Sequence, residues 1–216
     1  MRYFLTSRVQ LTLTERVQLA MQLAKSVSFV HTLGFVHENV RPETILGFRS
    51  GNIAPGVFVL VGFEKVRMAD GRTRLSGDLA WEKNIYHHPQ RQGLFPEEVY
   101  TMQHDIYSLG VCLLEIGLWE SFVLCKDDSD HSAPGTVLEL HLQSPEFQNA
   151  LLMKKHLVGM AHRELPTRIG EKYKEVVVSC LTCLDKDNID FGNQKEFEDE
   201  DGMLIGVRYI EKVCSL

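Results

Sequence analysis

The sequence has no apolar run approaching the roughly 20 residues that a membrane-spanning helix requires. It does not open on the basic, apolar and small-residue succession of an export signal. These two absences make a cytoplasmic protein the expectation. There is no basic excess: 23 lysines and arginines face 29 aspartates and glutamates, for a formal net charge of −6. The basic stripe expected of a nucleic-acid binder is missing. Cysteine is scarce, and the five present (Cys112, Cys125, Cys180, Cys183 and Cys214) are an odd number scattered over half the chain. That pattern argues against a disulfide framework. No internal repeat or low-complexity tract is visible, and no G-x-G-x-x-G loop of the phosphate-cradling kind occurs.

What is present is ordinary for a globular protein: 216 residues, 44% hydrophobic and 24% charged. That length allows one well-cored domain or two small ones. Three patterns invite a metal reading, and each has a plainer one. Cys180-x-x-Cys183 lacks a second Cys or His pair at zinc-ligand spacing, and it sits in an apolar helical stretch where thiols pack as small hydrophobes. Asp127-Asp128-x-Asp130 lacks the Gly and terminal Glu of a calcium loop, so a polar loop is expected. His87-His88, with His104, reads as solvated loop histidine.

Helix signals are clear in five places. Thr12 and Glu15 form a capping box, and Val17, Ala20, Met21, Ala24, Val27 and Val30 follow at helical spacing. One central helix is expected over 13–33, ended by Gly34. Residues 105–119 are the most apolar segment and read as a buried core helix. Ser144-Pro145 starts a helix that runs to about His162. Pro166 breaks it, and another helix covers 168–184. A last short helix is expected over 203–215. Between these, 44–48 and 57–61 read as two short strands, with turn residues at 49–52. Residues 64–103 and 125–143 read as loop, and 185–201 as an acidic loop, whose stretch 196–201 reads as a solvated loop with docking of a basic peptide as the sharper alternative.

The stretch 35–46, Phe-Val-His-Glu-Asn-Val-Arg-Pro-Glu-Thr-Ile-Leu, resembles the catalytic loop of a protein kinase, H-R-D-L-x-x-x-N. His37 matches; Asn39 stands at the catalytic Asp, Thr44 at the metal-holding Asn, and Arg41 where Lys is usual. Leu60-Val61-Gly62-Phe63-Glu64 falls where the metal-binding D-F-G is expected. Tyr86-His87-His88-Pro89-Gln90 resembles the end of an activation segment, and Asp105-Ile106-Tyr107-Ser108-Leu109-Gly110 the buried helix of the large lobe. In finer detail the chain resembles divergent kinase-like domains of filamentous fungi, found beside incompatibility and innate-immunity modules.

The resemblance implies a mainly α fold: the large, C-terminal lobe of a kinase, with one or two short β-hairpins and without the small lobe. The whole chain would be one such lobe. It comprises the long helix and loop remnant (12–46), a degenerate metal loop and activation segment (57–103), the core helix (104–124) and C-terminal helices (144–216). His37, Asp105 and Pro89 would be structural, with Asp105 bonding the backbone of the loop. His37, Asn39, Arg41 and Thr44 would be degenerate catalytic positions, and Gly62, Phe63 and Glu64 degenerate metal-loop positions.

Phosphoryl transfer needs a carboxylate at the hydroxyl and oxygen ligands for magnesium. Asn39 is neutral, Gly62 has no side chain, and Thr44 offers one hydroxyl. No cofactor is therefore expected, and the chain reads as a regulatory or interaction module. Glu64 is a candidate substitute ligand. The alternative is an ATP- and magnesium-dependent protein kinase whose small lobe lies outside this chain. A helical scaffold unrelated to kinases is a third reading. Without a small lobe, Phe35, Ile45, Leu46 and Phe63 would form an uncovered apolar top face. That face would meet a protein partner, the small lobe or a second copy.

Overall fold

The computed structural model describes residues 1–7, 9–48, 56–69, 71, 77–125 and 132–188. Its organising element is α4 (Met102–Leu118), in which every residue from Gln103 onward is buried. Such a helix must be covered on all sides. The cover comes from α2 (Leu13–Thr32), α6 (Ala150–Arg168) and α7 (Glu171–Leu181). Close approach of α7 depends on Gly110. A Cβ there would stand 2.8 Å from Cys180 Cβ and 3.1 Å from the Leu181 nitrogen.

The long first helix starts as expected. Thr12 Oγ1 accepts from the Glu15 N–H, and the Glu15 carboxylate accepts from the Thr12 N–H. Among the described residues, three small antiparallel ladders complete the fold. β2 (Ile45–Phe48) and β3 (Val57–Leu60) form the expected hairpin, with Ile45 opposite Leu60. β1 (Phe35–Val36) pairs with β4 (Arg67–Met68), tying the loop after α2 to the segment after β3. β5 (Val123–Cys125) pairs with β6 (Ser132–Pro134), which lies inside the stretch 125–143 expected to be loop. Five-residue α1 (Arg2–Thr6) and four-residue α3 (Trp81–Asn84) are also additions to the sequence reading.

Other expectations shift. The helix from Ser144 is two helices, α5 (Pro145–Gln148) and α6, because Asn149 leaves helical geometry and its Oδ1 caps Leu151 and Leu152. Pro166 lies inside the last turn of α6, where the one backbone bond it removes is tolerated. Cys180 and Cys183 are buried core thiols. His88 and His104 are buried and His87 is half-buried, not solvated: the segment of His88 packs against α4, which carries His104, and against α6. The turn at 49–52, the Asp127–Asp130 loop, the acidic stretch from 189, Cys214 and the helix at 203–215 lie outside the described residues. Among the described residues, no helix is long and apolar enough to cross a membrane. The mainly helical architecture with small antiparallel sheets fits the large lobe of a protein kinase.

Candidate functional site

The loop after β1 is built around one buried carboxylate. Asp105, in the first turn of α4, is fully buried. Its Oδ2 accepts from the His37 N–H (2.7 Å) and its Oδ1 from the Glu38 N–H (3.0 Å). Tyr100 donates its hydroxyl to Oδ1 at 2.8 Å, and His31 Nε2 lies 3.1 Å from Oδ2. Burial alone would raise the Asp105 pKa, but the bonds from His31, His37 and Tyr100 outweigh it and hold it below the usual carboxylate range. The group is therefore an anion, which accepts only, so His31 must carry its proton on Nε2.

His37 is completely buried, with its ring against Phe63 at 4.9 Å between centroids. Neither ring nitrogen has a hydrogen-bond partner among the described residues. Burial, foremost, lowers its pKa, so the ring is neutral at physiological pH. It is a packing group beneath the loop.

The neighbouring side chains satisfy one another. Asn39 Nδ2 donates to Glu64 Oε1 at 3.0 Å. Thr44 Oγ1 lies 2.7 Å from the Asn39 carbonyl and 2.9 Å from the Arg41 carbonyl, and it accepts from the Arg41 N–H at 3.2 Å. The hydroxyl is thus consumed in closing the loop. Gly62 adopts φ +83°, and a Cβ there would stand 2.6 Å from Thr44 Cγ2. The left-handed backbone favours glycine there, and any side chain would have to displace the Thr44 methyl. Arg41 is half-buried, with Nε 3.9 Å from Glu43 Oε2.

Glu38, at φ +59°, is engaged by Arg67, whose Nε donates to its carboxylate at 2.5 Å. The same guanidinium bonds the carbonyls of Met68, Gly71 and Tyr100. Glu64, in the turn beside the loop, is exposed. Pro89 opens a short 3-10 turn, Pro89–Arg91, under the segment that leads to α4. No group of three or more potential metal ligands occurs among the described residues.

Two further features shape the surface and the core, the first at the expected apolar top face and the second not anticipated. One is a groove of about 650 Å³ between α2 and the β2–β3 hairpin, walled by Phe29, Leu33, Phe35, Val59, Phe63 and Val66. Of the residues expected on an apolar top face, Phe35 and Phe63 line this groove and Leu46 is exposed. Ile45 is instead buried in the core, because its strand register turns it inward opposite Leu60. The other is a buried polar cluster at the far end of α4. There Glu115 Oε1 accepts from Arg2 Nη1 (3.0 Å), the Tyr86 hydroxyl (3.0 Å) and the Phe122 N–H (2.7 Å). Arg2 also bonds Glu43 at 2.8 Å and Ser121. A glutamate near the end of an otherwise apolar helix was the available signal, since a buried charge requires a partner.

Comparison with known proteins points the same way. No family model matches the chain. It is 30% identical over 98 residues to the mitosis inhibitor protein kinase mik1 of Schizosaccharomyces pombe, covering 45% of this chain and 15% of that one. It is 29% identical over 133 residues to a serine/threonine-protein kinase-like protein of Arabidopsis thaliana, covering 59% and 33% respectively. A probable serine/threonine-protein kinase of Dictyostelium discoideum is 26% identical over 113 residues, covering 49% and 6%. The chain thus spans a third or less of each relative's length. These likenesses support a kinase-like relationship.

Proposed function

We propose that the chain is a kinase-like large lobe that does not transfer phosphate and that serves as a regulatory or interaction module. The observation that carries this reading is the bond from Asn39 to Glu64. At the position where a kinase holds its proton-accepting carboxylate, this chain holds an amide. That amide donates to the Glu64 carboxylate. Thr44 and Gly62 reinforce the reading: one is spent on backbone carbonyls, and the other has no side chain and lies against the Thr44 methyl. The groove beside Phe63 supplies an apolar surface for a protein partner, a small lobe or a second copy. The finer relationship to fungal kinase-like domains belongs to this same proposal.

One observation favours the rival reading of a working kinase. Glu64 is exposed and within 3.0 Å of Asn39, so its carboxylate stands where a magnesium ligand would be useful. Thermal unfolding with and without ATP and magnesium separates the two. A ligand held at 100 times its Kd adds about 2.7 kcal/mol, a shift of roughly 5–10 °C for a domain of this size. We expect no magnesium-dependent shift and no phosphate transfer to a generic acceptor protein. A clear shift that disappears in Glu64→Gln would replace this reading with the rival one.

A further inference from the structure

The β2–β3 hairpin is apolar on both faces. Ile45, Phe58 and Leu60 turn inward and are buried. Leu46, Phe48, Val57 and Val59 take the alternate positions on the other face, where the first three are exposed. Val59 also lines the groove beside α2, so this face continues into the exposed Phe29, Leu33 and Phe63. An antiparallel sheet with one face in water alternates apolar with polar residues. This hairpin does not, and a contiguous apolar surface, unlike scattered exposed residues, marks a face that is covered.

The sequence beyond the described residues carries an amphipathic stretch. At 100° per residue, Met203, Ile205, Tyr209, Ile210 and Val213 fall within one half of a helix, and Arg208, Glu211, Lys212 and Ser215 within the other. A helix over 203–215 would be about 20 Å long. A helix that short does not persist in water without a surface to pack on. Ile205, Tyr209 and Val213 recur at the four-residue step with which a helix fills an apolar groove.

Position and charge suit the two to each other. The described chain ends at Asn188, just past α7. Close by, the Cys183 thiol donates to the Gln103 carbonyl in the first turn of α4 at 3.2 Å. Asp105, two residues on, holds the His37 loop, and the His37 ring lies against Phe63 of the groove. The chain therefore leaves the fold at the end of α4 that carries the groove. Residues 189–202 span up to roughly 46 Å when extended. The same linker has acidic residues at every position of 196–201 except Phe197. Lys25 on the groove rim, and Lys65 in the turn of Phe63, are exposed with no carboxylate within ion-pair distance among the described residues. Acidic residues just ahead of a helix also favour its N-terminus.

We propose that residues 203–215 bind this chain's own groove as a helix, over Phe29, Leu33 and Phe63, with the acidic stretch 196–201 beside Lys25 and Lys65. The inference rests on the reading of this face as an interaction surface and names its resting occupant. A protein partner, a small lobe or a second copy then reaches the face only by displacing the segment.

The test is hydrogen–deuterium exchange of the full 216-residue chain without nucleotide, read by mass spectrometry, with light scattering over a range of protein concentration. The expected result is a monomer in which the amides of 203–215 are protected independently of concentration. Phe29→Asp and Ile210→Asp should each cut that protection by at least about tenfold, the loss of one buried apolar contact. Ile210→Asp should also speed exchange in the last turns of α2. Leu204→Asp, which puts the same charge on the other half of the helix, should leave the protection unchanged. Phe29 is 66% exposed, so its variant should melt like the parent, and Ile210→Asp alters no described residue. Amides in 203–215 that exchange as freely as an unstructured peptide overturn the proposal. So does protection that survives Phe29→Asp or that falls equally in Leu204→Asp. Protection that grows with concentration, together with a dimeric mass, overturns it in favour of a second copy. None of these outcomes bears on phosphate transfer, which the ATP and magnesium experiment decides separately.

Discussion

Asp105 is the residue on which the loop geometry depends, because four donors from three parts of the chain converge on it. Truncation to alanine leaves the His37 and Glu38 N–H groups, the Tyr100 hydroxyl and His31 buried without their acceptor. Breaking a buried charged network in this way costs about 3–5 kcal/mol. That is a large part of the roughly 5–15 kcal/mol that holds a domain together. Asp105→Asn should cost less, since one carbonyl oxygen still accepts. Urea unfolding of both variants checks the order. An alanine variant that loses under about 1 kcal/mol would show that the loop is held by something else. The linkage sign is also fixed. The folded pKa of Asp105 lies below its ordinary value, so its contribution is complete above that value and disappears as pH falls through the folded pKa.

At the scale of elements, α1 shows how a segment with weak local propensity becomes ordered. Five residues with no side-chain cap do not sustain a helix alone. Arg2 anchors it in the cluster of Glu115, Glu43, Tyr86 and Ser121. Burial opposes the Arg2 charge, but Glu115 and Glu43 more than offset that and keep its pKa above normal. Burial raises the Glu115 pKa against the pull of Arg2. Arg2→Met should therefore cost about 3–5 kcal/mol, chiefly by leaving Glu115 buried and unpaired. Adding Glu115→Gln should recover part of the loss, and a double-mutant cycle measures it. Strictly additive losses would contradict the coupling. The same contrast explains what the sequence could reveal. α2 and α4 were legible because their signals are local: the Thr12–Glu15 box and an unbroken apolar run. The loop was legible through the order His37, Asn39, Thr44 and the downstream Gly62. The partners of those residues were not. The pairing of Asn39 with Glu64, of Glu38 with Arg67 and of Arg2 with Glu115 spans 25, 29 and 113 positions. The β1–β4 and β5–β6 ladders were missed because two or three residues carry too little periodicity to stand out.

At the scale of the molecule, three histidines make the assembled fold sensitive to acid. His88 comes from the segment after α3, His104 from α4, and Lys154 from α6, so the cluster joins three layers. Lys154 Nζ stands 3.3 Å from His88 Nε2, a contact that only a neutral ring can accept. Burial is the leading cause that lowers all three pKa values, with neighbouring cations adding to it. His88 falls to about 3, and His87 and His104 to about 4. In the unfolded chain each returns to about 6.5. Between those limits the unfolded state binds protons that the folded state refuses, so stability falls as pH falls. Each histidine contributes a slope of about 1.4 kcal/mol per pH unit over its window. Above pH about 6.5 the three contribute no pH dependence. Glu115, with its raised pKa, works in the opposite direction and removes part of the slope. Urea unfolding between pH 7.5 and 4.5 should therefore show a flat region followed by a steep loss beginning near pH 6.5. His88→Gln should make that loss shallower by about one proton, because its amide faces Lys154 without titrating. A stability profile that stays level to pH 4.5 would mean that these rings protonate in place, and that the contact with Lys154 does not hold the layers together.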